Sequence, residues 1–268
     1  MVEFQRKDFY SYEDFLEIMR LLRAPGGCPW DREQTHSSIR RNFLEETYEV
    51  LDAIDHDDAS GVCEELGDVL MQVAFHAQIE AERGRFTMAN VVDGVARKLV
   101  YRHPHVFGDV QADTSQQVLA NWDVLKRREK GQRSTADAVE AVPHTLPALW
   151  RAEKIQSKTA KAGFDWTSSL QALDKLEEEV RELRAALEAG QAADAPHGIR
   201  EELGDTLFMA AKIAQMSGVD PEDALHRACD KFDRRFRAVE EAADKPLPEC
   251  GEAELLALWN DAKSHDPS

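Results

Sequence analysis

Residues 64–76 read EELGDVLMQVAFH and residues 201–213 read EELGDTLFMAAKI. In each, two acidic residues, a glycine and an aspartate interrupt an apolar pattern of helical period. Apolar residues resume at once, as Val69-Leu70-Met71 and as Leu207-Phe208-Met209. A glycine inside a helix costs about 1 kcal/mol relative to alanine, so its recurrence at the same place points to something other than helix propensity. The likeness extends outward from both stretches. Glu45-Glu46-x-x-Glu49 precedes the first as Glu178-Glu179-x-x-Glu182 precedes the second. Downstream, Lys98 and Arg102 correspond to Lys231 and Arg235, and Trp122 and Lys126 correspond to Trp259 and Lys263, each pair four residues apart. Such self-similarity marks a duplicated structural unit, here a bundle of helices.

The helical spacing of apolar residues runs over 9–23, 37–55, 62–83, 88–102 and 116–130, then over 148–161, 170–189, 199–216, 221–243 and 252–263. Thr87 suits the N-cap of the fourth of these helices, and Pro104 bars its continuation. No run alternates with the period of two that a strand requires, so the fold class is all-α. Residues 131–147 are polar and rich in small residues, with Pro143 and Pro147, and read as a linker. The expected organisation is an N-terminal helical repeat over 1–130, the linker, and a C-terminal repeat over 148–268.

The chain has 268 residues, about two domains' worth, with 43% hydrophobic and 31% charged residues, ordinary values for a globular protein. Its 33 basic and 51 acidic residues leave a net charge of −18. Such a chain has no general attraction for a phosphate backbone or an anionic membrane, which disfavours broad nucleic-acid and membrane binding. No apolar run approaches the roughly 18 residues of a membrane span, and the start MVEFQRKDFY lacks the apolar core of a secretion signal. Cys28, Cys63, Cys229 and Cys250 lie far apart without C-x-x-C spacing and read as free thiols of a cytoplasmic protein.

Residues three or four apart share a helix face. Glu179 and Glu182 therefore project together, as do Glu202 and Asp205 from the next helix, and two such helices can bring all four into one cleft. Clustered carboxylates repel unless a cation sits among them. Oxygen-only ligands select a hard ion, Mg²⁺ or Mn²⁺, and Mg²⁺ tends to share its coordination with substrate phosphates. Glu46, Glu49, Glu65 and Asp68 repeat the set in the first half. Lys231 and Arg235, one turn apart, suit the phosphate charge left over. Trp259 offers an indole face on which a base can stack, with Lys263 one turn further along. His103-Pro104-His105 reads as a turn rather than as a pair of metal ligands.

These blocks resemble the MazG family of nucleoside triphosphate pyrophosphohydrolases. The matching text is GGCPWDREQTH, FLEETYEVLDAID, EELGDVLMQVAFHAQ and RHPHVFGD in the first half, and KAGFDW, KLEEEVREL, EELGDTLF and KFDRRFRAVE in the second, together covering about residues 15–264. The resemblance implies Mg²⁺-dependent hydrolysis between the α- and β-phosphates of a nucleoside triphosphate, NTP or dNTP, giving a monophosphate and pyrophosphate. It also implies homodimers and a role in cleaning the nucleotide pool. Carried over by motif, Glu179, Glu182, Glu202 and Asp205 are metal ligands, while Lys175, Lys231, Arg235 and Trp259 contact the nucleotide. The chain departs from the family at Cys229, where an asparagine is common. The family's catalytic repeat is usually the second, and the cations here agree: Lys175 and Arg200 stand where the first repeat has Asn42 and Cys63.

Glu178, beside the ligand pair, is the candidate for orienting the attacking water. Two other classes compete with this hydrolase. A nucleotide-binding sensor would hold the triphosphate without cleaving it, and pyrophosphate release separates the two. A carboxylate-bridged di-iron oxidase needs Glu-x-x-His on two helices, but Asp68 and Asp205 stand where those histidines would be.

Overall fold

The computed structural model describes residues 2–112, 114–129, 131–190 and 192–266. Among them there are helices and no strands. The helices are α1 (Tyr12–Arg23), α2 (Pro29–Glu33), α3 (Arg40–Asp55), α4 (Ala59–Glu82), α5 (Met88–Arg102), α6 (Pro104–Phe107), α7 (Ser115–Glu129), α8 (Thr135–Glu140), α9 (Ala148–Ala160), α10 (Ser169–Glu188), α11 (Ile199–Ser217), α12 (Pro221–Ala242) and α13 (Glu252–His265). They form two compact units, Met1–Lys126 and Arg127–Ser268.

Local chemistry sets most of the boundaries. Helix α1 begins at Tyr12 rather than at residue 9, because Ser11 and Asp14 form a reciprocal capping box. Helix α4 begins at Ala59, three residues before the apolar period becomes regular, because the Asp58 side chain accepts the Ser60 N–H. Helix α5 ends at Arg102, and Pro104 opens the separate turn α6. The segment 131–147, read from sequence as a linker, contains α8, and Ala138 and Val142 in it are buried. It belongs to the second compact unit. Ser134 and Asp137 cap α8 reciprocally, and its small residues suit close packing against α9 rather than a free tether.

In the first unit, α3 and α4 form a hairpin across residues 56–58, and α1 packs on α4. The core gathers Met19, Ile39, Ala74, Phe75 and Ile79, with Phe15, Leu16, Leu22 and Met71 around them. In the second unit, α10 and α11 form the corresponding pair, with α9 on α11 and α12 touching α9, α11 and α13. Asp220 caps α12 by accepting the N–H groups of Glu222 and Asp223, and it also accepts the Trp150 indole N–H at 2.9 Å, which ties α9 to α12. Both carboxylate motifs therefore sit on the central helix pair of their unit.

Candidate active site

The carboxylates of Glu179 on α10 and of Glu202 and Asp205 on α11 each offer an oxygen within 4.8 Å of the others. Glu179 and Glu202 are buried, whereas Asp205 is exposed. Glu182, one turn beyond Glu179, is exposed and lies beside that triad rather than in it. Its carboxyl is pushed above the usual range by partial desolvation and then by the Glu179 charge. Asp205 is raised by desolvation and then by the charges of Glu179 and Glu201. Mutual repulsion of this kind, with every donor an oxygen, fits a hard divalent cation.

One lysine partly relieves the repulsion. Lys175 Nζ lies 2.5 Å from Glu178 and 2.9 Å from Glu179, and these two bonds raise its pKa. Glu178 is exposed, and the lysine holds its carboxyl below the ordinary range. It stays ionised and can accept a hydrogen bond from water. The second expected cation is placed elsewhere. Arg200 Nε donates to Asp194 at 2.6 Å in the loop ahead of α11, and the arginine is largely exposed. His197, which no sequence pattern singled out, stands 3.7 Å from Glu202 instead.

On α12, Lys231 makes no ion pair among the described residues, and neither does Lys263 on α13. Arg235 donates to Asp266 at 2.8 Å, with both side chains mostly buried. The Trp259 ring lies 5.2 Å from that of Phe232 at 45°, which fastens α13 to α12.

The first unit repeats the arrangement with differences. Glu46 and Glu49 of α3 gather with Glu65 of α4, and Asp68 lies just outside this close set. Glu46 is raised chiefly by desolvation, with contributions from Glu49 and Asp68, and Glu65 by desolvation and the charges of Glu49 and Asp68. Gln72 Nε2 donates to Glu46 at a long 3.4 Å where the second unit has a lysine on its glutamate. Arg102 is buried over the Trp122 ring at 5.2 Å, and Lys126 lies over the same ring at 4.5 Å. An added Cβ at Gly67 or Gly204 would meet nothing within 4 Å, so no crowding inside the protomer demands either glycine.

The four cysteines are free thiols. Among the described residues no helix is long and apolar enough to cross a membrane.

Comparison with known proteins identifies the family. Residues 34–107 and 167–239 each match the MazG nucleotide pyrophosphohydrolase domain, and these spans contain the two carboxylate clusters. The chain is 46% identical over 226 residues to a nucleoside triphosphate pyrophosphohydrolase of Escherichia coli, covering 84% of this chain and 85% of that one. It is 41% identical over 258 residues to the nucleoside triphosphate pyrophosphohydrolase/pyrophosphatase MazG of Thermotoga maritima, covering 95% and 96%. With two domain matches and relatives at 41–46% identity over most of their length, the chain belongs to the MazG nucleotide pyrophosphohydrolase family.

Proposed function

We propose that this protein hydrolyses nucleoside triphosphates to the monophosphate and pyrophosphate, with Mg²⁺ held in the second repeat. The observation that carries the reading is the Glu179–Glu202–Asp205 triad, two of its members buried and all on one helix pair. Glu182 completes the ligand set from the next turn. The ion supplies charge neutralisation at the triphosphate and makes phosphorus more electrophilic. The protein's own groups do the rest. Lys231 and Lys263, without ion-pair partners among the described residues, meet phosphate oxygens. Arg235 joins them on exchanging its Asp266 partner. Lys175 balances charge beside the triad, and Glu178 orients water toward the phosphorus. Arg200 acts at the mouth of the site.

The Glu46–Glu49–Glu65 cluster with Asp68 is a second, weaker site of the same kind. Homodimerisation is part of the proposal. Leu173, Val180 and Leu187 lie seven residues apart on α10 and are exposed, as are Leu203 and Leu207 on α11. Leu44, Leu51, Leu66 and Leu70 show the same exposure in the first repeat. An apolar face of this size on a helix pair suits burial against a second copy. The role is removal of unwanted nucleotides in the cytoplasm, with no nucleic-acid or membrane partner.

The test is a panel of canonical and modified NTPs and dNTPs incubated with Mg²⁺ or with chelator and scored for monophosphate and pyrophosphate. Monophosphate and pyrophosphate in equal amounts, lost on chelation, support the reading. Nucleotide binding without cleavage would instead make the protein a sensor.

A further inference from the structure

The acidic cluster of the first unit has a neighbour that the second lacks. Glu65, Asp68 and Gln72 follow one another at three and four residues along α4, on the face turned toward Glu46 and Glu49 of α3. Gln72 is 6% exposed. Its Nε2 reaches Glu46 at 3.4 Å, so its amide head lies at the cluster, yet its Oε1 is buried with no hydrogen-bond partner. A buried acceptor of this kind is costly until a donor or a cation meets it. Four residues past Asp205, where the second unit would repeat this glutamine, stands Met209.

The groups that would draw a triphosphate to this cluster are committed elsewhere in the first unit. Asn42 stands where Lys175 bridges Glu178 and Glu179. Buried Arg102 lies over the Trp122 ring at 5.2 Å and Lys126 over the same ring at 4.5 Å, so the indole and both cations engage one another. Of the counterparts of the second unit's cations, Lys98 stands outside that clasp, one charge beside four carboxylates. An ion among Glu46, Glu49 and Glu65 therefore has few phosphate oxygens to expect, and its shell must come from protein and water. That condition separates the hard cations. Mg²⁺ demands a near-ideal octahedron, keeps its waters and leans on substrate phosphates, whereas Ca²⁺ takes six to eight oxygens in flexible geometry, amide carbonyls included.

Resting on the reading of this cluster as a metal site, we propose that it takes a divalent cation without nucleotide, and that Gln72 Oε1 supplies a neutral oxygen ligand which favours Ca²⁺ over Mg²⁺. The long Nε2–Glu46 contact leaves the amide head free to settle its oxygen on the ion. The ion joins Glu46 and Glu49 of α3 to Glu65 and Gln72 of α4, and so clamps the hairpin on which the first unit is built. Such a site is weak toward nucleotide because the protein already fills the shell of its ion.

The experiment titrates Ca²⁺ and Mg²⁺ by calorimetry into the full-length Glu179→Gln/Glu202→Gln protein, whose second cluster has lost two charges, and follows the melting temperature in parallel. One Ca²⁺ per chain is expected, bound roughly tenfold more tightly than Mg²⁺ and raising the melting temperature. Gln72→Leu in the same background is expected to shrink the Ca²⁺ preference about fivefold, while Gln72→Glu, which puts back an oxygen, keeps Ca²⁺ binding at or above the parent level. Should the buried Gln72→Leu fail to fold, Gln72→Asn, which withdraws the same amide by one methylene, carries the comparison. Absence of Ca²⁺ binding, a Ca²⁺ preference unchanged by loss of Gln72, or Ca²⁺ binding unchanged by Glu46→Gln would overturn the proposal. So would a further rise in melting temperature with a non-hydrolysable ATP analogue, at Ca²⁺ in excess of the analogue, that vanishes on adding Glu46→Gln. Pyrophosphate release by the wild type is scored separately, and its absence fails the hydrolase reading while leaving the cation result standing.

Discussion

The Nδ1 atoms of His36 and His76 lie 2.7 Å apart with their rings nearly parallel, so a single proton must be shared between them. His36 Nε2 also meets Glu80 at 2.5 Å, and the buried Glu80 carboxylate takes Arg83 and Arg85 as well. His76 is held below the ordinary imidazole range, first by burial and then by His36. The unfolded chain takes up a proton near pH 6.5 that the folded His76 resists, so stability falls as pH drops through and below that value. Between pH 7 and 5 the wild-type melting temperature is expected to fall more than that of His76→Gln, which keeps a hydrogen-bonding group but no titration. Parallel curves for the two proteins would show that the pair does not titrate in this window.

Glu202→Gln removes one charge from the triad while preserving shape. Turnover is expected to fall by more than tenfold, at least about 1.4 kcal/mol of barrier, with circular dichroism and melting temperature unchanged or slightly raised as repulsion is relieved. A variant retaining more than a tenth of wild-type pyrophosphate release would remove Glu202 from the ligand set.

The two repeats are expected to differ. Glu179 has the Lys175 cation at 2.9 Å, whereas Glu46 meets the neutral Gln72 amide at a long 3.4 Å. Glu179→Gln should abolish hydrolysis and Glu46→Gln should leave most of it, measured at saturating Mg²⁺ over a range of nucleotide concentrations. The reverse order would place the main active site in the first repeat.

Lys231→Ala deletes a cation that makes no ion pair among the described residues. A charge-assisted contact contributes about 1.5–3 kcal/mol, so kcat/KM should fall roughly ten- to hundredfold, equally for every base. A loss that varied strongly with the base would assign Lys231 to base recognition.

Arg23 is the strongest stability test. Its guanidinium is buried, grips Glu82 at 2.8 and 2.9 Å, donates to the carbonyls of Asp31 and Gln34, and lies over Phe75. Arg23→Met is expected to cost about 3 kcal/mol, the lower end for breaking a buried pair, because Glu82 is partly exposed. Urea denaturation measures it, and a loss under 1 kcal/mol would show that water replaces the arginine.

The long amphipathic helices and the paired acidic motifs were legible because helical period and i, i+3/i+4 spacing are local. The placement of Arg200 was not, since its partner Asp194 lies in a loop whose path no periodicity encodes. For the same reason α8 reads as a tether from sequence: its six residues carry little apolar signal, although Ser134 and Asp137 form a capping box. Neither the His36–His76 pair nor the contact of Gln72 with Glu46 could be read, because each joins positions far apart in the chain.

The lysine bridge between Glu178 and Glu179 has a consequence for how the site is switched on. With Lys175 already neutralising part of the acidic cluster, a divalent ion bound there would exchange with one counter-ion, not add to bare charge. The released ammonium would then be free to meet the incoming triphosphate. Metal and nucleotide would thus favour each other's arrival, and the resting protein would hold loosely bound ions only weakly.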